Sequence, residues 1–314
     1  MSSLIRIGTR GSRLALAQSG MMQARIAAAL GAPDRAAEVA PLVVITTTGD
    51  RIQDRRLLEV GGKALFTKEI EEALLDGRID AAVHSMKDVP AEMPEGLAIA
   101  AIPEREDPRD AFVSLEHASL AAMPPGARLG TASLRRQAQT LHLRPDLEMV
   151  LLRGNVDTRL RKLEAGEADA ILLAAAGLNR MGLARVARGF LDPVDFPPAP
   201  GQGALAIQTR AEDADAPWAV ALRCLPTTIA VAAERGALAA LEGSCRTPVG
   251  AHARFAAGRL SLVVEALSPD GRLRFRREAL ADLEVPSEGQ AADLGRRLGE
   301  AVAAEGGAAI VLKD

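Results

Sequence analysis

The chain has 314 residues, enough for two or three domains. Hydrophobic residues make up 48% and charged residues 25%, an ordinary globular balance, and no apolar run reaches the length of a membrane span. A net charge of −3, 2% aromatic residues and no Tyr argue against a nucleic-acid surface, which needs positive charge and rings to stack on bases. The two cysteines, Cys224 and Cys245, make no disulfide framework, and the first residues lack the apolar core of a signal peptide. The expectation is a cytoplasmic protein with reduced thiols.

In chain order, residues 4–8 read as a strand. Ser12 starts an Ala/Leu-rich helix to about Leu30, with Gly31 as its stop. Residues 42–47 are a strand, residues 67–75 a helix stopped near Gly77, and residues 79–83 and 97–102 strands. This β-α-β-α-β order predicts a mostly parallel sheet with helices on both faces. Residues 103–110 carry six charges and read as an interdomain hinge. Strands at 128–130, 148–152 and 170–173 alternate with helices at 133–143 and 155–164, which predicts a second α/β domain. A Pro/Gly linker, residues 196–203, precedes a strand at 204–208 that returns to the first domain. Thr227 or Thr228 then caps a helix ending at Glu242-Gly243. Strands at 251–255, 260–267 and 273–279, a helix at 290–305 and a final strand predict a small α+β domain. The expected boundaries are 1–103 with 204–221, 109–197, and 225–314.

One local pattern occurs three times. A strand end runs through a small turn into a helix at Thr9-Arg10-Gly11-Ser12, at Thr131-Ala132-Ser133-Leu134-Arg135-Arg136, and at Arg153-Gly154-Asn155 with Arg159 following. Helix N-termini offer unpaired N–H groups and a positive dipole end, and Arg grips carboxylates with a planar fork. Ordinary N-caps beside exposed arginines give the same pattern, so each turn alone supports either reading. His84-Ser85-Met86-Lys87-Asp88 sits at another strand end. Its carboxylate either stabilises a developing positive charge or is a turn residue paired with Lys87. Cys245, beside Arg246, is either a packed small hydrophobe or a functional thiol. Walker A and zinc spacings are absent, and Gly201-Gln202-Gly203 precedes a strand instead of opening a helix. A bilobed anion-binding protein without catalysis remains the competing class. The acidic net charge weighs against a nucleic-acid binder.

Several segments together resemble the hydroxymethylbilane synthase (porphobilinogen deaminase) family. They are Ile7-Gly8-Thr9-Arg10-Gly11-Ser12, Val60-Gly61-Gly62-Lys63-Ala64-Leu65-Phe66, His84-Ser85-Met86-Lys87-Asp88-Val89-Pro90, Gly130-Thr131-Ala132-Ser133-Leu134-Arg135-Arg136, Leu152-Arg153-Gly154-Asn155-Val156-Asp157-Thr158-Arg159 and Leu241-Glu242-Gly243-Ser244-Cys245. The resemblance implies two doubly wound α/β lobes similar to type II periplasmic binding proteins, with a cleft between them, plus a small α+β C-terminal domain. It implies that four porphobilinogen units condense head to tail with loss of ammonia, giving hydroxymethylbilane for tetrapyrrole biosynthesis, on a dipyrromethane cofactor held to Cys245 by a thioether. By matched position, Asp88 is the catalytic carboxylate that stabilises the cationic azafulvene. Lys87, Asp88, Arg135, Arg136, Thr131, Ser133 and Ser85 hold the cofactor. Arg10, Ser12, Arg153, Arg159, Arg180 and Phe66 hold substrate. The stretch 55–63 resembles the family's mobile loop, and a monomer is the family expectation. Ala132, Ser244 and Glu59 depart from residues that many members carry there.

Overall fold

A computed structural model of the chain describes residues 4–51, 67–241 and 247–312. Expectations for Phe66, the 55–63 stretch, Ser244 and Cys245 lie outside them. In chain order the strands are β1 (Ile7–Thr9), β2 (Leu42–Val44), β3 (Ala81–Ser85), β4 (Leu97–Ala101), β5 (Asp110–Ser114), β6 (Arg128–Thr131), β7 (Glu148–Leu151), β8 (Ala170–Ala174), β9 (Gly189–Phe190), β10 (Leu205–Arg210), β11 (Val249–Ala256), β12 (Arg259–Leu267) and β13 (Arg274–Asp282). They belong to two compact units, one of Met1–Arg105 with Ala204–Thr228, the other of Glu106–Gly203 with Ile229–Asp314.

The first unit holds a five-stranded sheet in the order β2-β1-β3-β10-β4. β2, β1 and β3 are parallel, while β10 runs antiparallel to β3 and β4. Successive side chains of a strand face opposite ways, and the two faces have separate cores. Ile7, Ala81 and Val83 pack with Met22 and Ile26 of the helix Arg13–Ala29 and with Trp218. Ala82 packs on the other face with Ile70, Ala73 and Leu74 of the helix Lys68–Leu75. Both helices end as the sequence predicts, at left-handed glycines, Gly31 with φ 74° and Gly77 with φ 68°.

The second unit repeats the plan, with sheet order β7-β6-β8-β5-β9. β7, β6 and β8 are parallel, and β5 is antiparallel to β8 and β9. The sequence predicts no strand at β5 and puts Asp110 in a hinge. In the structure Asp110 opens β5 and is fully buried. Ala111 and Val113 enter one core and Phe112 the other, so a strand buried on both faces shows no apolar-polar alternation. Each sheet is therefore mixed, with four strands running one way and one antiparallel insert, β10 or β5, reached by a crossover segment.

The same unit contains a three-stranded antiparallel sheet, β11-β12-β13. Residues of helices Leu225–Ala240 and Glu288–Gly306 complete its core, which includes Ile229, Ala233, Leu238, Leu262, Val264 and Val302. The first helix starts earlier than predicted, at Leu225, because Pro226 suits a first turn. Thr227 is not its cap; its Oγ1 accepts a hydrogen bond from the Arg105 amide instead. The predicted final strand is a 3₁₀ turn, Gly307–Ile310. Its small residues offer one apolar anchor, Ile310, to the core. The two helices meet backbone to backbone. A Cβ on Gly236 would run into the Ala292 carbonyl, and one on Gly295 into that of Ala233. No helix among the described residues is long and apolar enough to cross a membrane.

Because the obstacle at Gly295 is backbone, Gly295→Ala should cost about 1–3 kcal/mol by overpacking. Urea unfolding followed by circular dichroism measures it, and an unchanged midpoint contradicts the close approach.

Candidate active site

In the first unit, β1 and β3 are adjacent and parallel, so their carboxyl ends lie on one edge. β1 runs into Arg10 and Ser12, and Ser12 Oγ caps the following helix by accepting from the Ala15 amide at 3.3 Å. β3 runs through Ser85 into a 3₁₀ turn, Met86–Asp88, anchored where the Met86 amide donates to the Ala204 carbonyl at 3.0 Å. Ser85, Lys87 and Asp88 are half-buried. The two turns are linked by Gln18, whose Nε2 donates to Ser85 Oγ at 2.9 Å. Arg10, Ser12, Ser85, Lys87 and Asp88 thus share one sheet edge, the place where α/β sheets collect ligands.

The second unit presents three such ends side by side, because β7, β6 and β8 are parallel neighbours. After β6, the Ser133 hydroxyl caps the helix Leu134–Leu143 by accepting from the Arg136 amide, and Thr131 Oγ1 accepts from the Ser133 amide. After β7, Asn155 caps the helix Val156–Glu164 by accepting from the Thr158 amide at 2.9 Å, and Arg159 Nε donates to the Gly154 carbonyl. After β8 comes the helix Ala175–Arg180, with Arg180 Nη2 donating to the Gly203 carbonyl at 2.6 Å. The cap residues and the arginines coexist at these turns, so the two sequence readings of the pattern are not exclusive.

Arg135 and Arg136, expected at ligand carboxylates, are buried and directed at an internal one. Arg135 Nη2 reaches Asp110 Oδ2 at 2.8 Å and Arg136 Nη2 reaches Asp110 Oδ1 at 2.7 Å. Gln202 Nε2 adds a third donor to Asp110 at 2.9 Å. Burial alone would raise the Asp110 pKa, but the two guanidinium charges and these hydrogen bonds hold it far below the usual carboxylate range. Two arginines against one carboxylate leave a net positive charge. Burial pushes Arg180 down to about 10, with Glu106 partly opposing, so it stays protonated near neutral pH.

Three guanidinium atoms here are buried with no hydrogen-bond partner: Arg135 Nε, Arg153 Nη1 and Arg180 Nε. Buried donors are normally paired, so an anion able to reach this edge would meet unmet demand. From the sequence Asp110, Gln202 and Gln18 received no role, Asp110 and Gln202 standing only within segments that resemble the family. For Asp110 a signal existed, since an acid just before Ala-Phe-Val opens an apolar strand; Gln18 and Gln202 carry none.

A family model described as "Porphobilinogen deaminase, dipyromethane cofactor binding domain" matches residues 5–217, and one for the "Porphobilinogen deaminase, C-terminal domain" matches residues 228–304. The chain belongs to the porphobilinogen deaminase family. Among its relatives, the porphobilinogen deaminase of Phenylobacterium zucineum (strain HLK1) is 69% identical over 98% of each chain. That of Caulobacter sp. (strain K31) is 67% identical over 99% of this chain and 98% of its own. Among solved structures, a periplasmic substrate-binding protein of an ABC transporter from Coxiella burnetii is similar over 70% of this chain and 90% of its own, with 17% identity and a TM-score of 0.44. The members' cofactor is a dipyrromethane, whose carboxylates suit the net positive edge and the unpartnered guanidinium donors described above.

Asp110→Asn keeps the shape but strips the arginine pair of its counter-charge. It should cost about 3–5 kcal/mol of stability in urea at neutral pH. Since the Asp110 pKa is depressed on folding, its contribution is present above the unfolded value of about 3.9 and lost as pH falls through the folded one. The difference between wild type and Asp110→Asn should therefore shrink on acidification below about pH 4. A constant gap would count against the ion pair.

Proposed function

We propose that this chain is a hydroxymethylbilane synthase that condenses four porphobilinogen units head to tail, releasing ammonia at each step, with Asp88 as its catalytic carboxylate and Cys245 as the anchor of its cofactor. Membership of the family over nearly the whole chain is the observation that carries the reading. When bound, the dipyrromethane supplies the α-carbon on which the product chain is extended.

The residues of the chain divide the work by charge. Each pyrrole carries two carboxylates, so substrate and product are polyanions that need many cations and no tight single site. In the first unit, Arg10 and Lys87 supply positive charge, and Ser12 and Ser85 supply hydroxyls beside a helix N-terminus. In the second unit, Arg153, Arg159 and Arg180 serve substrate carboxylates. Arg135 and Arg136, with Thr131 and Ser133, serve those of the cofactor. The support for the latter pair is its net positive charge beside Asp110 and the open Nε of Arg135. Asp88 accepts hydrogen bonds from pyrrole N–H groups, and its negative charge favours departure of the protonated amine by stabilising the cation left behind. Phe66 and the 55–63 stretch complete the substrate site. The enzyme acts as a cytoplasmic monomer, which size-exclusion chromatography with light scattering tests.

Asp88→Ala should fold normally by circular dichroism and lose about a hundredfold to ten-thousandfold in porphobilinogen consumption. Turnover near wild type removes Asp88 from the chemistry. The intact mass of protein from cells that make porphobilinogen should exceed the sequence mass by a two-ring adduct, mapped to the Cys245 peptide. An unmodified Cys245 contradicts the cofactor assignment.

A further inference from the structure

A buried polar chain behind the Asp88 turn has no role in the reading above. β3 and β10 pair with His84 opposite Ala206 and Ala82 opposite Gln208, which makes His84 and Gln208 diagonal neighbours on one face. Gln208 Oε1 lies 3.0 Å from His84 Nε2. Gln208 Nε2 donates to Glu71 Oε1 at 3.4 Å and lies 3.4 Å from Met93 Sδ. Glu71 comes from the helix Lys68–Leu75, and all three polar residues are buried.

Chemistry fixes the direction of this chain. A carboxylate only accepts, so Gln208 turns its NH₂ to Glu71 and its carbonyl oxygen to His84. His84 must then donate from Nε2, which leaves Nδ1 with its lone pair. The glutamine is a neutral spacer that keeps the Glu71 charge one link away from the ring. Burial pushes the His84 pKa down to about 4; the Gln208 hydrogen bond and the Asp88 charge work against it, and the Arg10 charge works with it. Asp88 and Arg10 are thus the charges that act on the ring, from the Asp88 turn and the β1 turn, while Glu71 on the helix Lys68–Leu75 reaches it only through Gln208.

An imidazolium here would compete with the substrate for the Asp88 charge. We propose that His84 is a positioning residue, its proton fixed on Nε2 by Gln208 and Glu71 and its ring kept neutral by burial with the Glu71 carboxylate held one link away, so that no cation forms on β3 beside Asp88 and the carboxylate charge stays available to the reacting ring. This rests on Asp88 being the catalytic carboxylate. A chain that merely pinned the helix to the sheet would affect stability and leave the pH profile alone.

The test exchanges two residues, Glu71→Gln with Gln208→Glu, in the cofactor-loaded full chain. Composition and net charge are kept, and the carboxylate moves one link to touch His84 Nε2. In the exchanged protein His84 should titrate between about pH 5 and pH 8. On the acid side of that titration kcat for porphobilinogen should fall about tenfold, as for one pKa unit of lost charge, with KM within about twofold of wild type. Long-range proton–nitrogen NMR of histidine-labelled wild type, which has four histidines, should show neutral His84 protonated on Nε2 throughout this range. A wild-type His84 protonated on Nδ1, or titrating in that range, overturns the proposal without need of the variant. So does an exchanged protein in which His84 titrates while kcat keeps the wild-type profile. Asp88→Ala assayed alongside separates the failures, since retained turnover there condemns the reading of Asp88, and lost turnover with a flat response in the exchange condemns only the positioning role.

Discussion

A fully buried carboxylate gripped by two arginines organises the second unit. Asp110 is the first residue of β5, and β5 is the strand inserted antiparallel beside the three parallel ones. The arginines stand at the start of the helix after β6, while Gln202, which also donates to Asp110, belongs to the segment leading to β10. One side chain therefore ties both crossover segments to the strand end that carries the cation pair. Desolvation of three charged groups is costly, and only the multiple hydrogen bonds make the arrangement tenable. The network runs on through Arg135 to Gln139, and from Gln139 to Glu265 on β12. The C-terminal sheet is thereby joined to the same cluster.

The parallel ends of each sheet convert backbone geometry into anion affinity. Ser12, Ser133 and Asn155 each satisfy one amide of their helix, whose positive dipole end lies toward the strand end that precedes it. Each unit carries cationic side chains along one sheet edge, Arg10 and Lys87 in the first and Arg153, Arg159 and Arg180 in the second. Asp88, by contrast, stands on a short 3₁₀ turn at the end of β3 and opens no helix.

Much of this was legible in the sequence because it rests on local rules. Ser133 and Asn155 are capping residues at the start of amphipathic runs, Ser12 caps an Ala/Leu-rich one, and Gly31 and Gly77 are stops, so the helices bounding the site were readable to within a residue or two. What escaped depended on contacts far apart in the chain. β5 looked like the end of a charged hinge because the partners of Asp110 lie 25 and 26 residues away. The buried fate of Arg135 and Arg136 was hidden for the same reason, since an Arg-Arg pair at a helix start looks exposed until its counter-ion is found. The terminal 3₁₀ turn defeated the strand expectation because Ile310 packs into a core that the distant helix Leu225–Ala240 shares with the sheet and with the helix just before the turn.

The chain has no Tyr and a single Trp, and Trp218 lies in the same core of the first unit as Ile7 and Ile207. Tryptophan emission from this protein is therefore a local gauge. It reports solvent entry around one lobe and is dark to the sheet that carries the arginine cluster and to the C-terminal sheet. An unfolding curve read by fluorescence and one read by circular dichroism sample different bodies of the same molecule. Their offset is a measure of how independently those bodies come apart.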